Sequence, residues 1–438
     1  MSNSSQITLS IEKYRAIKEA SININGITLV AGENGSGKST ISKMLYYIFK
    51  ISSSYNLLIG ENLKSELDSV LTLIHLVIRD MHSELRVQRN QYLSELRKLD
   101  DRLSREEPSE ELLNLLTIQL DRLKLIVGIQ NSEYNSNIRN RRLLYMLEDI
   151  LKDNNVNDKS ISQLFDDVIK KVNGIFKSAF KLINSRSDFL LRDELENIFH
   201  TDILPSKLEV YELEQILFSL DSNHLGIPYS IQNTLYIDTP MMLLGEYSES
   251  NHHWNELNKI IRNNAYKDTN KIITNIISND VLGGDVSYED DLLSTYNFSF
   301  RRNADKEIFN LLDCATGIKS FSILQFLLKL GVINNKTLLI FDEPESNLHP
   351  QWIVEYARII VLINKFIKAK VFIATHNPDF VSAIRYISEK ENVLDGVDFY
   401  IAEKQPNLLY KYKHLDKDIE PIFKSFNIAL DRIEKYGI

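Results

Sequence analysis

The chain has 438 residues, of which 43% are hydrophobic, enough for two or three domains with buried cores. Its formal net charge of −9 disfavours a general nucleic-acid binder, which is usually basic, so such a contact would need a local patch. The single cysteine, Cys314, excludes a disulfide framework and a cysteine-ligated zinc site.

The start of the chain is polar, since Met1 to Gln6 lack the apolar core of a signal peptide. No apolar run approaches the ~20 residues that a membrane-spanning helix needs. From these two features we expect a soluble, cytoplasmic protein with no membrane partner.

The first elements lead to a glycine-rich loop. Residues 7–14 and 20–24 alternate apolar and polar side chains, which predicts two strands, and 27–30 is an apolar run typical of a third. A helix is predicted over 41–50 and fades at 52–54. The loop between strand and helix comprises Gly32, Glu33, Asn34, Gly35, Ser36, Gly37, Lys38 and Ser39, followed by Thr40.

This loop has the G-x-x-x-x-G-K-[ST] spacing of a phosphate-binding loop in the required strand–loop–helix context. Its glycines let backbone N–H groups approach an anion closely, and the helix N-terminus adds partial positive charge. Lys38 is predicted to contact the β- and γ-phosphates, and the Ser39 hydroxyl to bind Mg²⁺. The predicted ligands are therefore ATP and Mg²⁺, bound by residues 32–40.

A long helical region follows, from about 58 to 200. Apolar residues recur in steps of three and four from Leu63 to Leu103, which predicts one long helix with a single apolar stripe. Pro108 ends that helix, Ser109 is a typical N-cap, and a second stripe from Leu113 to Leu123 predicts an antiparallel hairpin. A helical subdomain with a solvated charged face is favoured over a coiled-coil arm that reaches a partner.

Basic side chains cluster within this region. They leave a nucleic-acid contact open, but interleaved acidic residues favour an ordinary solvated surface. The cluster comprises Arg139, Arg141, Arg142, Lys170, Lys171, Lys177 and Lys181.

From Thr234 onward the pattern alternates between strand and helix, which predicts an α/β fold. The chain is accordingly divided into 1–57 and 226–438, two parts of one α/β domain, and a helical insertion over 58–225. Strands are predicted at 234–237, 297–301, 337–341, 371–374, 397–402 and, as an edge strand, 408–413. Helices are predicted at 252–278, 320–330, 352–366 and 419–436.

Polar side chains follow two of these strands. Asp342 and Glu343 end the apolar strand 337–341, and His376 follows the strand 371–374. At the carboxyl edge of a parallel sheet, Asp342 can complete the Mg²⁺ shell and Glu343 can act on the attacking water as a general base. His376 is predicted to contact the γ-phosphate and to orient the water.

The order of these motifs resembles that of ABC-type ATPases of the SMC-like branch. The run Glu343-Pro344-Glu345-Ser346-Asn347-Leu348-His349-Pro350 is similar to a segment of the OLD-like bacterial ATPases, and so is the run from Thr375 to Phe380. The resemblance covers 1–50 and 230–438 but not the insertion. It implies a P-loop ATPase head with a mixed, mostly parallel sheet and flanking helices. It also implies that two heads sandwich two ATP molecules.

The signature segment of such heads corresponds here to residues 314–318 and departs from the usual sequence. Ala315 stands where the family has a serine. Backbone N–H groups at Gly317 and a hydroxyl from Thr316 or Ser320 remain available to contact the nucleotide of a second copy. The glutamine-bearing loop of the family has no clear match, and Asp238 is the nearest candidate.

The leading functional prediction is an ATP-driven dimerisation switch that regulates a separate effector, such as a nuclease, in bacterial anti-phage defence. The effector is expected to be separate because the chain ends soon after the ATPase motifs and lacks a His-Asn-His pattern. The alternatives are a DNA-repair or chromosome-handling ATPase, the nucleotide-binding subunit of a transporter, and a scaffold that binds ATP without hydrolysing it. The unusual signature argues against the transporter, and the intact Asp342–Glu343 pair argues against the scaffold.

Overall fold

The structure is a computed structural model and describes residues 7–81, 86–133, 137–152, 159–201, 203–238, 252–263, 265–267, 270–288, 298–426 and 435–436. The chain divides into two compact units. We call Met1–Ser53 together with Asp188–Ile438 the head unit, and Ser54–Ser187 the helical unit.

All of the described strands belong to the head unit. They are β1 (Ile7–Tyr14), β2 (Ile17–Ile24), β3 (Ile27–Ala31), β4 (Lys207–Glu212), β5 (Gln215–Ser219), β6 (Asn233–Ile237), β7 (Gly284–Tyr288), β8 (Phe298–Arg302), β9 (Ile308–Asn310), β10 (Thr337–Asp342), β11 (Lys370–Thr375), β12 (Val397–Gln405) and β13 (Leu409–His414).

The α-helices, with bounds as the structure has them, begin with the one that follows the glycine-rich loop. They are α1 (Lys38–Arg79), α2 (Arg86–Arg105), α3 (Glu110–Glu133), α4 (Asn137–Leu151), α5 (Ile161–Ser185), α6 (Phe189–Phe199), α7 (His252–Asn263), α8 (Lys271–Asn275), α9 (Thr316–Lys329), α10 (Pro350–Ile367), α11 (Pro378–Lys390) and α12 (Glu420–Phe426). A π-helical turn, Ile276–Val281, continues α8.

The described residues of the head unit form a ten-stranded sheet in the order β5-β4-β1-β2-β13-β12-β3-β11-β10-β6, and a three-stranded sheet β7-β8-β9. From β12 to β6 the neighbours are parallel, whereas β5, β4, β1 and β2 pair antiparallel. Residues of β3 and β10 are buried throughout, as strands covered on both faces should be. The fold is therefore a mixed, mostly parallel α/β sheet with flanking helices, as the sequence predicted.

The register of the parallel strands places their carboxyl ends side by side. Thr375 pairs with Ala31, and Asp342 pairs with Ala374. Phe341 pairs with Ile237 at the end of β6. The segments that follow β3, β11, β10 and β6 therefore leave the sheet at one edge, where α/β proteins bind ligands.

The strand predicted at an edge of the sheet lies inside it. β13 pairs antiparallel with β12 and parallel with β2. Its alternating sequence correctly indicated a strand with one solvated face, because such a pattern reports the two faces of a strand and says nothing about its neighbours.

The helical unit is built from neighbouring antiparallel helices. Lys64 on α1 pairs with Asp100 on α2 at 3.1 Å, and Arg122 on α3 pairs with Glu95 on α2 at 2.7 Å. The leucines of α3, among them Leu116 and Leu120, are buried. α2 and α3 are thus an antiparallel pair on either side of Pro108, the position where the sequence predicted the turn.

The single long helix predicted up to Leu103 is instead two helices. α1 ends at Arg79 and α2 begins at Arg86, so the apolar residues of the two stripes lie on different helices. The sequence has no glycine or proline between these helices, and apolar residues continue at a spacing of three and four. The usual signals for a helix end are therefore missing from the sequence at this point. Conversely, α1 runs on through 52–54, where the sequence predicted that it would fade.

The insertion predicted at 58–225 is longer than the helical unit, which ends at Ser187. β4 and β5 lie within the predicted insertion but belong to the main sheet, where β4 pairs with β1 over six residues. β4 and β5 are short and carry charged or polar residues at several positions, so their sequences resemble polar loops. Their strand propensity depends on the neighbouring strand, and the partner of β4 is far away in the sequence. Of the C-terminal helix predicted at 419–436, the structure describes α12 and the helical residues 435–436, while 427–434 lie outside the described residues.

Across the described residues, no helix combines the length and the apolar character that crossing a membrane requires.

Candidate nucleotide-binding site

The glycine-rich loop connects β3 to α1, as the sequence predicted. Gly35 and Gly37 have φ values of 79° and 98°, in the left-handed region that glycine adopts at low cost. A Cβ atom on Gly37 would lie 2.8 Å from Ile17 Cγ1, so both backbone conformation and space require glycine there. The loop thus adopts a conformation that its glycines make accessible.

Lys38 begins α1 with its side chain folded along the loop. It is 4% exposed, and its Nζ donates to the carbonyl oxygens of Gly32 at 2.8 Å and Glu33 at 2.9 Å. Burial lowers the pKa of the Lys38 ammonium, and the nearby carboxylates of Glu343 and Asp342 oppose that shift. Acidic side chains therefore surround the one cation of the loop.

Ser39 and Asp342 are 303 residues apart in the sequence and in contact in the fold. The Ser39 hydroxyl donates to Asp342 Oδ1 at 3.1 Å, and the hydroxyl of Tyr236 donates to Asp342 Oδ2 at 2.8 Å. Asp342 is 8% exposed, and burial raises the pKa of its carboxyl group. A hydroxyl and a carboxylate side by side are hard oxygen ligands of the kind Mg²⁺ prefers.

This donor set suits the magnesium ion of a nucleotide complex. Among the residues that the structure describes, no group of three or more His, Cys, Asp or Glu side chains could hold a metal ion. A P-loop site does not need one, because phosphate oxygens and water complete the shell around the protein's few ligands. Ser39 and Asp342 therefore fit the predicted role.

Glu343 follows β10 in an unusual backbone conformation. Its φ is 52°, uncommon for a residue with a side chain, and its N–H donates to the carbonyl oxygen of Ala374 at 2.8 Å. Its carboxylate is partly exposed, with Oε1 3.2 Å from His376 Nδ1. Such backbone strain persists only where surrounding contacts enforce it, and it is concentrated at functional sites.

His376 is held by a second carboxylate, Glu345, that the sequence analysis did not single out. Glu345 is 4% exposed, and its Oε1 accepts hydrogen bonds from Thr375 Oγ1 at 2.6 Å and from the His376 N–H at 3.1 Å. The same oxygen lies 3.5 Å from His376 Nδ1, and burial raises the pKa of the Glu345 carboxyl group. Glu345 thus connects the segment after β10 to the end of β11.

The loop also receives support from β13, which the sequence analysis missed. The Tyr412 hydroxyl donates to the Ser36 carbonyl oxygen at 2.9 Å, and the Tyr410 hydroxyl donates to Glu33 Oε2 at 3.3 Å. Both contacts depend on the interior position of β13, for which local sequence carries no signal.

Asp238 lies at the end of β6, on the same edge of the sheet. Its Oδ1 accepts a hydrogen bond from Trp254 Nε1 at 2.6 Å, and its Oδ2 lies 3.2 Å from His253 Nε2. Its carboxylate therefore engages α7. Its predicted correspondence to the glutamine loop stays a prediction.

The signature segment is arranged differently from the rest of the site. α9 begins at Thr316, four residues earlier than predicted, and Ala315 at its N-cap offers no side-chain hydrogen bond. Gly317 is buried against Trp352, since a Cβ atom on Gly317 would lie 2.0 Å from Trp352 Cε3. Packing within the chain therefore already requires glycine here. Nucleotide contacts by Thr316 and Gly317 in a second copy stay a prediction.

We expect Gly317→Ala to lower the free energy of unfolding by roughly 1–3 kcal/mol, as overpacking in a tight interior does. Urea denaturation followed by tryptophan fluorescence measures the effect. The matched control is Gly396→Ala in the same unit, where an added Cβ meets nothing within 4 Å. If the two variants are equally stable, Trp352 yields readily and the packing argument fails.

The geometry thus brings together the loop residues, Ser39, Asp342, Glu343 and His376 at one edge of a mostly parallel sheet. A strand, phosphate loop and helix beside an acidic strand end are the arrangement of a P-loop nucleotide-binding site. A family model described as "AAA domain, putative AbiEii toxin, Type IV TA system" matches residues 27–382. The chain belongs to this AAA_21 family.

Comparison with solved structures returns SMC head domains. The SMC head domain from Thermotoga maritima is 11% identical, with a TM-score of 0.37, and the match covers 94% of this chain and 99% of that one. The Smc head domain with an extended coiled coil bound to the C-terminal domain of ScpA, from Pyrococcus furiosus, is 12% identical, with a TM-score of 0.35 and coverage of 97% and 99%. A search of curated proteins returns no match.

Proposed function

We propose that the chain binds ATP with Mg²⁺ and hydrolyses it to ADP and phosphate. The observation that supports this most strongly is the 3.1 Å hydrogen bond between Ser39 and Asp342, which joins the two motifs of a P-loop ATPase. The backbone N–H groups of residues 32–40 and the Lys38 ammonium bind the phosphates. Mg²⁺, when bound, neutralises charge that develops on the β- and γ-phosphate oxygens.

Glu343 is the proposed general base. Its partly exposed carboxylate accepts a proton from the attacking water, and its enforced backbone conformation holds it next to Asp342. His376, 3.2 Å from that carboxylate, contacts the γ-phosphate and orients the water, while Glu345 holds the backbone of His376 in place. Because His376 would contact both the Glu343 carboxylate and the γ-phosphate, loss of the γ-phosphate would change how this carboxylate is positioned.

The proposed biological role is an ATP-dependent dimerisation switch. Two copies close with the start of α9, including Thr316 and Gly317, against the phosphate loop of the partner copy. The exposed, uncapped helix start at Ala315 is compatible with such a contact, because its partial positive charge favours an anion. The helical unit would then transmit the nucleotide state to a separate effector, such as a nuclease, in bacterial anti-phage defence. The family description names a toxin of a type IV toxin–antitoxin system.

The first experiment measures phosphate release by the purified chain with ATP in MgCl₂ and in EDTA. Magnesium-dependent release that requires Lys38 would support the ATPase. Light scattering with and without ATP then tests whether the mass of the particle doubles. A chain that releases no phosphate in MgCl₂ would contradict the enzymatic part, and one mass under all conditions would contradict the switch.

A further inference from the structure

The carboxylate of Asp342 has two partners, of which the phosphate-loop ATPase motifs account for only one. Oδ1 accepts from Ser39, the first residue after the loop lysine. Oδ2 accepts from Tyr236 Oη at 2.8 Å, and Tyr236 belongs to neither motif. Each oxygen of Asp342 therefore has a named donor, and a carboxylate held at both oxygens cannot rotate without breaking a hydrogen bond.

The sheet itself places Tyr236 for this contact. β6 pairs parallel with β10, with Tyr236 opposite Ile340. Because side chains alternate across a strand, Tyr236 lies on the face that Ile340 and Asp342 share. Its hydroxyl therefore reaches two residues further along β10, to the carboxylate at the strand end.

The ring of Tyr236 is buried and packs against two other rings. It is 2% exposed, its centroid lies 4.8 Å from that of His253, edge to face, and 5.6 Å from that of Tyr46. Such packing leaves the hydroxyl little freedom to leave Asp342. The hydroxyl of Tyr46 points elsewhere, because it donates to Glu256 at 2.7 Å.

We propose that Tyr236 is a positioning residue that orients the Asp342 carboxylate for the magnesium–nucleotide complex, an inference that rests on the proposed ATPase function. Residues that orient a metal ligand typically contribute ~10–100-fold to metal affinity or activity. Removing the hydroxyl should weaken the magnesium-dependent part of nucleotide binding. It should not change the part of the affinity that the phosphate loop provides without magnesium.

The test compares Tyr236→Phe with Tyr46→Phe. The control also removes one buried hydroxyl that donates to a carboxylate, but that carboxylate belongs to Glu256. Fluorescent MANT-ATP is titrated into each protein in MgCl₂ and in EDTA, and the MgCl₂ concentration for half-maximal phosphate release is measured. For Tyr236→Phe we expect unchanged affinity in EDTA, about tenfold weaker binding in MgCl₂ and a half-maximal MgCl₂ concentration about tenfold higher. Tyr46→Phe should match the wild type in all three measurements.

The outcomes separate this inference from the proposed function. If the wild type binds MANT-ATP more tightly in MgCl₂ and the two variants behave alike, Tyr236 does not position Asp342, while the ATPase proposal stands. If Tyr236→Phe weakens binding equally in MgCl₂ and EDTA, its role is structural and the inference is overturned. If magnesium does not affect the wild type, both proposals fail.

Discussion

Glu343→Gln should slow ATP hydrolysis by about a hundredfold or more while ATP remains bound, as loss of a positioned base does. Glutamine has the same shape but cannot accept the proton of the attacking water. The substitution leaves the 2.8 Å hydrogen bond from the backbone N–H of residue 343 to Ala374 available. ATP that is bound but not consumed should hold two copies together, so the variant should also accumulate as a dimer.

Single-turnover phosphate release and light scattering with ATP measure these two effects. Glu355→Gln is the matched control, because Glu355 is a partly exposed carboxylate on α10 that pairs with Arg358. It should hydrolyse ATP at the wild-type rate. An unchanged hydrolysis rate in Glu343→Gln would contradict the assignment of Glu343 as the general base. A variant that hydrolyses ATP slowly but stays monomeric would contradict the proposal that bound ATP holds two copies together.

Lys38→Ala should reduce ATP affinity by about ten- to a hundredfold, because hydrogen bonds to charged groups contribute ~1.5–3 kcal/mol each. Hydrolysis should fall below detection as the phosphate charge is left uncompensated. The buried Nζ also bonds to Gly32 and Glu33, so the variant loses part of the support of the loop. Thermal unfolding of the variant is therefore measured beside nucleotide binding.

Lys43→Ala provides the comparison, since Lys43 lies on the same helix and is partly exposed. It should bind and hydrolyse ATP like the wild type. Wild-type hydrolysis in Lys38→Ala would contradict the assignment of the loop. A variant that binds normally and melts at the wild-type temperature would show that the lysine acts on hydrolysis alone.

Parts of the site that depend on short-range spacing were predictable. Residues 32–39 lead from a strand into the first turn of a helix, because glycines, lysine and serine at that spacing leave few other structures open. An apolar strand that ends at Asp342 and is followed by Glu343 is likewise visible in a few consecutive residues. That the two segments would meet followed from the parallel-sheet rule, and the Ser39–Asp342 contact agrees with it.

Local sequence patterns were misleading or incomplete where a tertiary contact decided the structure. The three-and-four spacing of apolar residues continues from α1 into α2 although these are separate helices. Two shorter helices that pack on their neighbours need apolar residues at the same spacing as one long helix with a single apolar stripe. The nucleotide contact of Gly317 in a second copy stays a prediction, but the motif gave no sign that Gly317 also packs against Trp352. A glycine in a motif does not reveal which neighbour requires the space.

The sequence by itself determined the class of site, since phosphate loop, acidic strand end and histidine are each encoded by a few adjacent residues. Only the tertiary structure decided which side chains surround them. Tyr236, Glu345 and Tyr412 reach the site from β6, the segment after β10, and β13. Tyr236 and Tyr412 lie 106 and 376 residues from their partners, and their positions follow from strand order. Strand order depends on how the whole chain buries its apolar faces, so no local pattern specifies it.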